Sequence, residues 1–317
     1  MAAECVRIED PSSGASAEVL VSLGFNCFSW RAPFAAGEEP RELLWAEPGF
    51  EQGDKKPSRS GVPLLFPFPG RIREGKFEFG GKTYELERND GLGNAIHGYA
   101  LDAPWRVLQQ TTDSLTAEFR PSIDAPEKLP LWTGDYRVEA TYRIEGAKLV
   151  LDATFENVGD SPLPWSFGTH AYFRMPLADE SQIEHTIIEA PLDGLWRTEG
   201  LVPDGEVLPL GDYAAIPSGL ALNGNEFDTT FRMAPGEELA TEVRDPQSGR
   251  VVRQTFGSEM RCCVIFTPGH REAVCLEPYT SVTNAYELEA NGIDTGLRVL
   301  GPGESEKSVV TLEALTR

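Results

Sequence analysis

The chain has 317 residues, 40% of them hydrophobic, with 31 Gly and 24 Pro, which supplies a large core and too many turn formers for a mainly helical fold. Its 50 acidic residues outweigh 28 basic ones, a formal net charge of −22 that repels phosphate backbones and anionic lipid. Nucleic acid and membrane are therefore excluded as expected partners, and the plain consequence of the charge is solubility.

In chain order, the dominant pattern has period two. Val19, Val21, Leu23, Phe25 and Cys27 alternate and predict a first strand. Phe77 and Phe79 face Tyr84 and Leu86 across Gly80-Gly81, a two-residue hairpin turn. Leu115, Ala117 and Phe119 alternate next. Tyr136, Val138, Ala140, Tyr142 and Ile144 share one face, with charged or polar residues between them. Glu145-Gly146-Ala147-Lys148 turns the chain into a second alternating run from Leu149 to Glu156, predicting an antiparallel hairpin.

The runs Cys262 to Phe266 and Ala273 to Leu276 are continuously apolar and predict central strands; Ser308 to Leu315 alternates again. No helix longer than about two turns is expected, and neither a linker nor an internal repeat interrupts the pattern. Residues 1–317 are thus read as a single all-β domain, an antiparallel β-sandwich of two stacked sheets.

Five cysteines, an odd number without any Cys-x-x-Cys spacing, include Cys262, Cys263 and Cys275 in apolar runs, where they read as core residues of a reducing compartment. The start, Met1-Ala-Ala-Glu-Cys, lacks a basic segment followed by an apolar one, and no apolar stretch approaches the roughly 18 residues of a membrane span. A cytoplasmic location is expected.

Four histidines narrow the search for chemistry. His97 lies in a glycine-flanked turn and His170 among aromatics; by local context each also reads as a satisfied structural group. His185 and His270 read as surface residues. Glu277 ends an apolar run, where an ionised carboxylate is costly unless paired, so it is either an active-site group or half of a structural ion pair. Arg71, after Phe66-Pro67-Phe68-Pro69-Gly70, suits a fork that clamps hydroxyls, or is simply solvated. Asp228 sits between aromatics and serves equally as a turn or cap. No P-loop, GxGxxG, GxSxG, HxH or HExxH occurs; two histidines and a distant carboxylate as a zinc site is a minor alternative.

Four segments taken together resemble the aldose 1-epimerase (galactose mutarotase) family. They are Leu65-Phe66-Pro67-Phe68-Pro69-Gly70-Arg71-Ile72, Asn94-Ala95-Ile96-His97-Gly98, Gly168-Thr169-His170-Ala171-Tyr172-Phe173 and Glu277-Pro278-Tyr279-Thr280, the last followed by Asn284 and Gly301-Pro302-Gly303-Glu304-Ser305. The resemblance runs in order across nearly the whole chain. It implies a β supersandwich fold, galactose mutarotase-like, and an isomerase that interconverts α and β anomers of an aldohexose. It implies His170 as general acid, Glu277 as general base and His97 at the same cleft, with Arg71 and Asp228 on sugar hydroxyls. The loop Asn-Ala-Ile-His-Gly is plainer than the Asn-His-x-His-Gly-Gly of the better-known galactose mutarotases, so the chain looks like the bacterial epimerase-related branch.

Ring opening changes no oxidation state, so no cofactor and no metal are expected, only a small-molecule sugar and a monomer or homodimer. Tyr172, Trp105 and Trp165 can offer apolar faces to the sugar, although core packing is the commoner role. Three alternatives remain: a non-catalytic carbohydrate-binding protein, a glycoside hydrolase using Glu277 and Asp228, and a hexose-6-phosphate 1-epimerase. The last requires cations at the cleft rim, for which Arg71, Arg73 and Lys76 are the candidates. The net charge of −22 favours neutral hexoses instead.

Overall fold

Alternation along Tyr136–Glu145 buries every second side chain, and the same holds for most of its partner Lys148–Asn157. Ten residue pairs zip these strands together, from Tyr136 opposite Asn157 to Glu145 opposite Lys148, across the Gly146-Ala147 turn. Gly146 takes a positive φ of 63°, which a β-carbon would strain. This hairpin sits inside a nine-stranded antiparallel sheet. It is flanked by Ser114–Phe119 on one side and by Ser305–Thr316, then Arg250–Gly257 and Glu238–Asp245, on the other. The hairpin Lys76–Phe79 with Lys82–Glu85 also forms as expected, both of its turn glycines having positive φ.

The computed structural model describes residues 3–317; Met1 and Ala2, part of the stretch read for a leader, lie outside them. A second large sheet runs in the order Val202–Leu208, Leu192–Glu199, Asp228–Met233, Cys262–Phe266, Ala273–Tyr279, Gly168–Thr169, Leu64–Leu65, with Tyr172–Arg174 also paired to Ala273–Tyr279. The two apolar runs are central strands, and the second extends beyond Leu276 to Tyr279. A four-stranded sheet, Cys5–Asp10 to Arg41–Glu42, completes the N-terminal part.

The two large sheets share a core. Val138, Tyr142 and Phe155 from the nine-stranded sheet lie in one buried cluster with Phe231, Cys263, Ile265, Val274 and Leu276 from the other. Gln254 of the first donates from Nε2 to the Leu276 carbonyl of the second at 3.1 Å. Each large side chain fully buried here contributes roughly 1.5–3 kcal/mol. Only short helices, Pro121–Asp124 and Ala285–Ala290, are α-helical among the described residues, and none is long and apolar enough to cross a membrane.

One expectation needs correction, and two tryptophans take the commoner of the two roles open to them. The alternation from Val19 to Cys27 is not one strand: Ala15–Leu20 and Asn26–Ala32 are separate and paired antiparallel. Gly24 and Phe25 take φ values of 71° and 50° in the turn between them. A β-carbon on Gly24 would fall 2.1 Å from the Leu101 carbonyl oxygen, so close approach of another segment forces the reversal. Trp105 and Trp165 are not sugar platforms. Trp105 stacks between Phe25 and Phe119, and Trp165 packs on Phe66 and Phe155, all inside the core.

Candidate active site

On the central strands the period of two separates core from cleft. Cys263, Ile265, Val274, Leu276 and Phe231 face inward, so Val264, Phe266, Glu277 and Thr230 face the other way. The register then aligns them: Thr230, Val264 and Glu277 form one row across three strands. Asp228, Phe266, Cys275 and Tyr172 form the next. Above these rows opens a cleft of about 650 Å³, the size range of small-molecule sites. A second hollow, about 680 Å³ around Trp196, has its charges already paired, Arg232 with Asp193 and Arg261 with Asp294.

The structure brings all six expected site residues to this one cleft: Arg71, His97, His170, Tyr172, Asp228 and Glu277. Glu277 is only 1% exposed, and His170 Nε2 stands 3.3 Å from its Oε1. Tyr279, two residues along the same face, donates its hydroxyl to Glu277 Oε2. That geometry depends on Gly168, which lies directly opposite Tyr279 in the register. Tyr172 lies parallel to His170, ring centroids 4.8 Å apart, and donates its hydroxyl to the Ser58 carbonyl at 2.9 Å. Its polar end is thus spent on the protein, and its ring fixes the plane of His170.

Burial disfavours charge on both partners of the central pair. It pushes Glu277 well above the ordinary carboxylate range, against the pull of the Tyr279 hydrogen bond and the Arg71 charge. It pushes His170 down to about 3. When the pair holds one proton, burial favours the uncharged arrangement, with that proton on Glu277. The ion-pair form carries the same proton, moved between two atoms 3.3 Å apart.

His97 occupies the left-handed region, φ 70°, and its backbone N–H donates to Gly70 O. The Gly70 N–H in turn donates to His97 Nδ1 at 3.2 Å, which places the ring hydrogen on Nε2. Burial, then the charges of His170, Arg71 and Lys56, hold its pKa well below the ordinary value, so the ring is neutral. The glycine after it is required: a β-carbon on Gly98 would lie 2.3 Å from Phe66 O.

Arg71 is held by a residue that the sequence reading missed. Its Nε donates to Asp90 Oδ2 at 3.1 Å, and the Asp90 side chain is fully buried. Burial opposes the Asp90 charge, but bonds from Asn94, Leu92 and Arg71 keep its pKa below the ordinary value. This is the only side-chain hydrogen bond of Arg71 among the described residues, which leaves its terminal nitrogens for a ligand. Asn284 braces the same segment, its N–H donating to Arg71 O and its Oδ1 accepting from the Arg73 N–H. Asp228 stands exposed at the mouth, yet the cleft walls desolvate it and raise its pKa, with Arg71 pulling the other way.

One wall was also missed. Trp45 stacks on His270, centroids 3.9 Å apart, and donates its indole N–H to Glu272 at 2.7 Å. His270 is exposed as expected but lines the cleft, whereas His185 is exposed and does not. The expected rim cations are corrected too: Arg73 pairs with Glu287 and Lys76 with Glu85, and neither lines the cleft. Lys56 and Arg59 do.

Among the described residues, one set could gather a metal ion: ligand atoms of His170, Cys275 and Glu277 lie within 4.8 Å of one another. Burial raises the Cys275 thiol well above its ordinary value, so in the metal-free protein it is protonated.

Residues 6–313 match the model of the aldose 1-epimerase family. Among solved structures, the fold is similar to a galactose mutarotase-like protein from Clostridium acetobutylicum. That pair has a TM-score of 0.88 and 22% identity, covering 99% of this chain and 95% of the other. It is also similar to a galactose 1-epimerase from Lactobacillus acidophilus NCFM, with a TM-score of 0.74, 13% identity and 99% of both chains covered. YphB of Escherichia coli K12, an uncharacterized protein, is 23% identical over 263 residues, 78% of this chain and 81% of its own length. At such identities the structural likeness speaks for the fold alone.

Proposed function

The chain belongs to the aldose 1-epimerase family, and from that premise we propose that it interconverts the α and β anomers of an aldohexose by acid–base ring opening. One observation carries this reading: a buried carboxyl and a buried imidazole, 3.3 Å apart, on the floor of a cleft built for a small polar molecule.

The reactive form is the ion pair. The Glu277 carboxylate accepts the proton of the C1 hydroxyl as the C1–O5 bond breaks. His170 delivers its proton to the ring oxygen O5. Rotation about C1–C2 exposes the other face of the aldehyde, and the same two protons return as the ring closes. Each positioned transfer contributes on the order of 10²–10⁴-fold. The Tyr279 hydroxyl and the Arg71 charge both favour the carboxylate form that accepts the proton. Arg71 and Asp228 hold ring hydroxyls, and neutral His97 donates a hydrogen bond from Nε2.

A non-catalytic sugar binder has no use for an imidazole against a buried carboxyl. A glycoside hydrolase needs a second carboxyl about 5–10 Å from the first across the scissile bond, whereas the immediate partner of Glu277 is a histidine. Optical rotation of freshly dissolved α-glucose or α-galactose tests the proposal. The protein should speed the approach to anomeric equilibrium, and Glu277→Gln should lose about 10³-fold or more in kcat while keeping the fold. Mutarotation within about threefold of wild type in that variant would remove Glu277 as the base.

A further inference from the structure

The second hollow shares no lining residue with the catalytic cleft, yet the two are neighbours on one face of the eight-stranded sheet. Arg232 follows Thr230 by two residues, so it leaves its strand on the same side. A small apolar cluster forms the partition between them. Its members Tyr279 and Val264 line the cleft, while Trp196, Val207, Val282 and Ile293 line the second hollow. At about 680 Å³ the space lies within the range of small-molecule sites.

Glycines seat its apolar walls. A β-carbon on Gly205 would fall 2.2 Å from Cδ1 of Ile293, one on Gly194 2.5 Å from Cγ1 of Val207, and one on Gly236 2.6 Å from Cδ2 of Leu239. Each of these side chains rests where a larger neighbour would push it away, so the shape of the hollow is built into the sequence. Met233 and Met260 line it too, two of the four methionines in the chain, and their flexible thioethers adapt readily to an apolar ring.

Charge and hydrogen bonding narrow the occupant. Among the described residues, the charged side chains that line the hollow are Arg232, Asp193, Arg261 and Asp294, and they form two pairs, each at 2.7 Å. An anion meets no free cation there, and a cation no free carboxylate. The Trp196 indole N–H is shut off from water and has no acceptor, an unmet bond in a side chain that is 6% exposed. Trp30, Trp132 and Trp165 share that lack, but they lie in the main core, whereas Trp196 borders an open space. An acceptor oxygen brought in by a ligand removes the deficit. We propose that the hollow is a second binding site, separate from the catalytic cleft, for an uncharged aromatic molecule that carries an acceptor oxygen. The inference does not depend on the epimerase reading of the cleft.

Acetanilide, a phenyl ring with a neutral amide carbonyl, is the probe, and protein-detected NMR titration reads its affinity. It should bind saturably with a Kd of about 1 mM or tighter. Benzoate and benzamidine, similar in size but charged, should bind about fivefold or more weakly. Ser258 is an exposed lining residue, and Ser258→Trp should fill the hollow and abolish binding. Trp196→Phe keeps an aromatic ring but removes the donor. It should weaken acetanilide about fivefold or more, and toluene, which has no acceptor, less than about twofold. Diffraction from a crystal soaked in acetanilide places the probe without any variant, and it should lie against Trp196. No saturable binding below about 5 mM, charged analogues bound as well as acetanilide, equal effects of Trp196→Phe on acetanilide and toluene, or a probe found in the catalytic cleft alone overturns the proposal.

Discussion

Gly168 and Tyr279 are directly opposed in the sheet register, and a β-carbon on Gly168 would stand 2.2 Å from Cδ1 of the Tyr279 ring. The glycine is thus the space in which the tyrosine lies while its hydroxyl reaches Glu277. Gly168→Ala should displace the ring, cost about 1–3 kcal/mol of stability and lower kcat. Tyr279→Phe should reproduce the loss in kcat without the packing defect. Loss of activity in the alanine variant alone, with Tyr279→Phe unaffected, would show that the hydroxyl has no part in it.

His170 and His97 share the cleft but not the same partners. His170→Asn should reduce kcat by about 10²-fold or more, since it removes the proton carrier beside Glu277. His97→Asn should mainly raise KM, because a neutral ring donating from Nε2 binds without transferring a proton. Steady-state kinetics on both variants separates the roles, and equal, small losses in both would abolish the distinction.

The buried pair sets the pH profile. With His170 depressed to about 3 and Glu277 raised well above the ordinary carboxylate range, one proton is shared over a wide interval. Activity should fall when a second proton arrives or the last one leaves, but kcat/KM should show no break near the ordinary histidine value of about 6.5. An acid limb centred there would mean that His170 is solvated.

Stability carries the same signature with opposing signs. His97 and His170 have lowered pKa values, so the unfolded chain binds more protons below about 6.5 and stability falls as pH drops. Glu277 has a raised pKa, so its contribution is full below about 4.5 and fades as pH rises through the folded value. Glu277→Gln removes the opposing slope. The variant's stability should therefore fall more steeply than wild type between about pH 6.5 and 4.5, by up to about 1.4 kcal/mol per pH unit. Denaturant titrations at several pH values test this, and parallel curves would contradict it.

Asp90 predicts a positioning effect. Asp90→Asn can keep the bonds that Oδ1 accepts from the Leu92 and Asn94 N–H groups, but its amide nitrogen cannot accept from Arg71 Nε or Asn94 Nδ2, so the hold on Arg71 is lost and KM for sugar should rise several-fold with kcat little changed. Asp90→Glu keeps the charge but moves the carboxylate by one methylene away from the bonds it accepts from Arg71, Leu92 and Asn94, so it should recover only part of the loss. A fall in kcat with KM unchanged would place Arg71 in the chemical step instead.

What could be read from the sequence followed from regular alternation. The hairpin of Tyr136–Glu145 with Lys148–Asn157 and the two central strands declared themselves, because one face of each had to be apolar. Glu277 stood out for the same reason, as a charge at the end of a buried run. The turn at Gly24-Phe25 was masked because Phe25 and Cys27 continued the apolar rhythm through the reversal. Trp45, Asp90, Lys56 and Arg59 reach the cleft outside the regular strands of the large sheets, where no periodicity announces which way a side chain points. Asp90 in particular reads as an ordinary Asn-Asp-Gly turn until its buried carboxylate is seen beside Arg71.

The division of the central strands into a core face and a cleft face has an evolutionary consequence. Val274 and Leu276 can stay in place while Cys275 or Val264 changes, so the fold bears little of the cost of altering the ligand. Glu277 and His170 are the exception, for burying them weakens the native state and only turnover offsets that cost. In a descendant released from selection for activity, this pair is where apolar replacements should accumulate first, yielding a sturdier protein with the same sheets and an inert cleft.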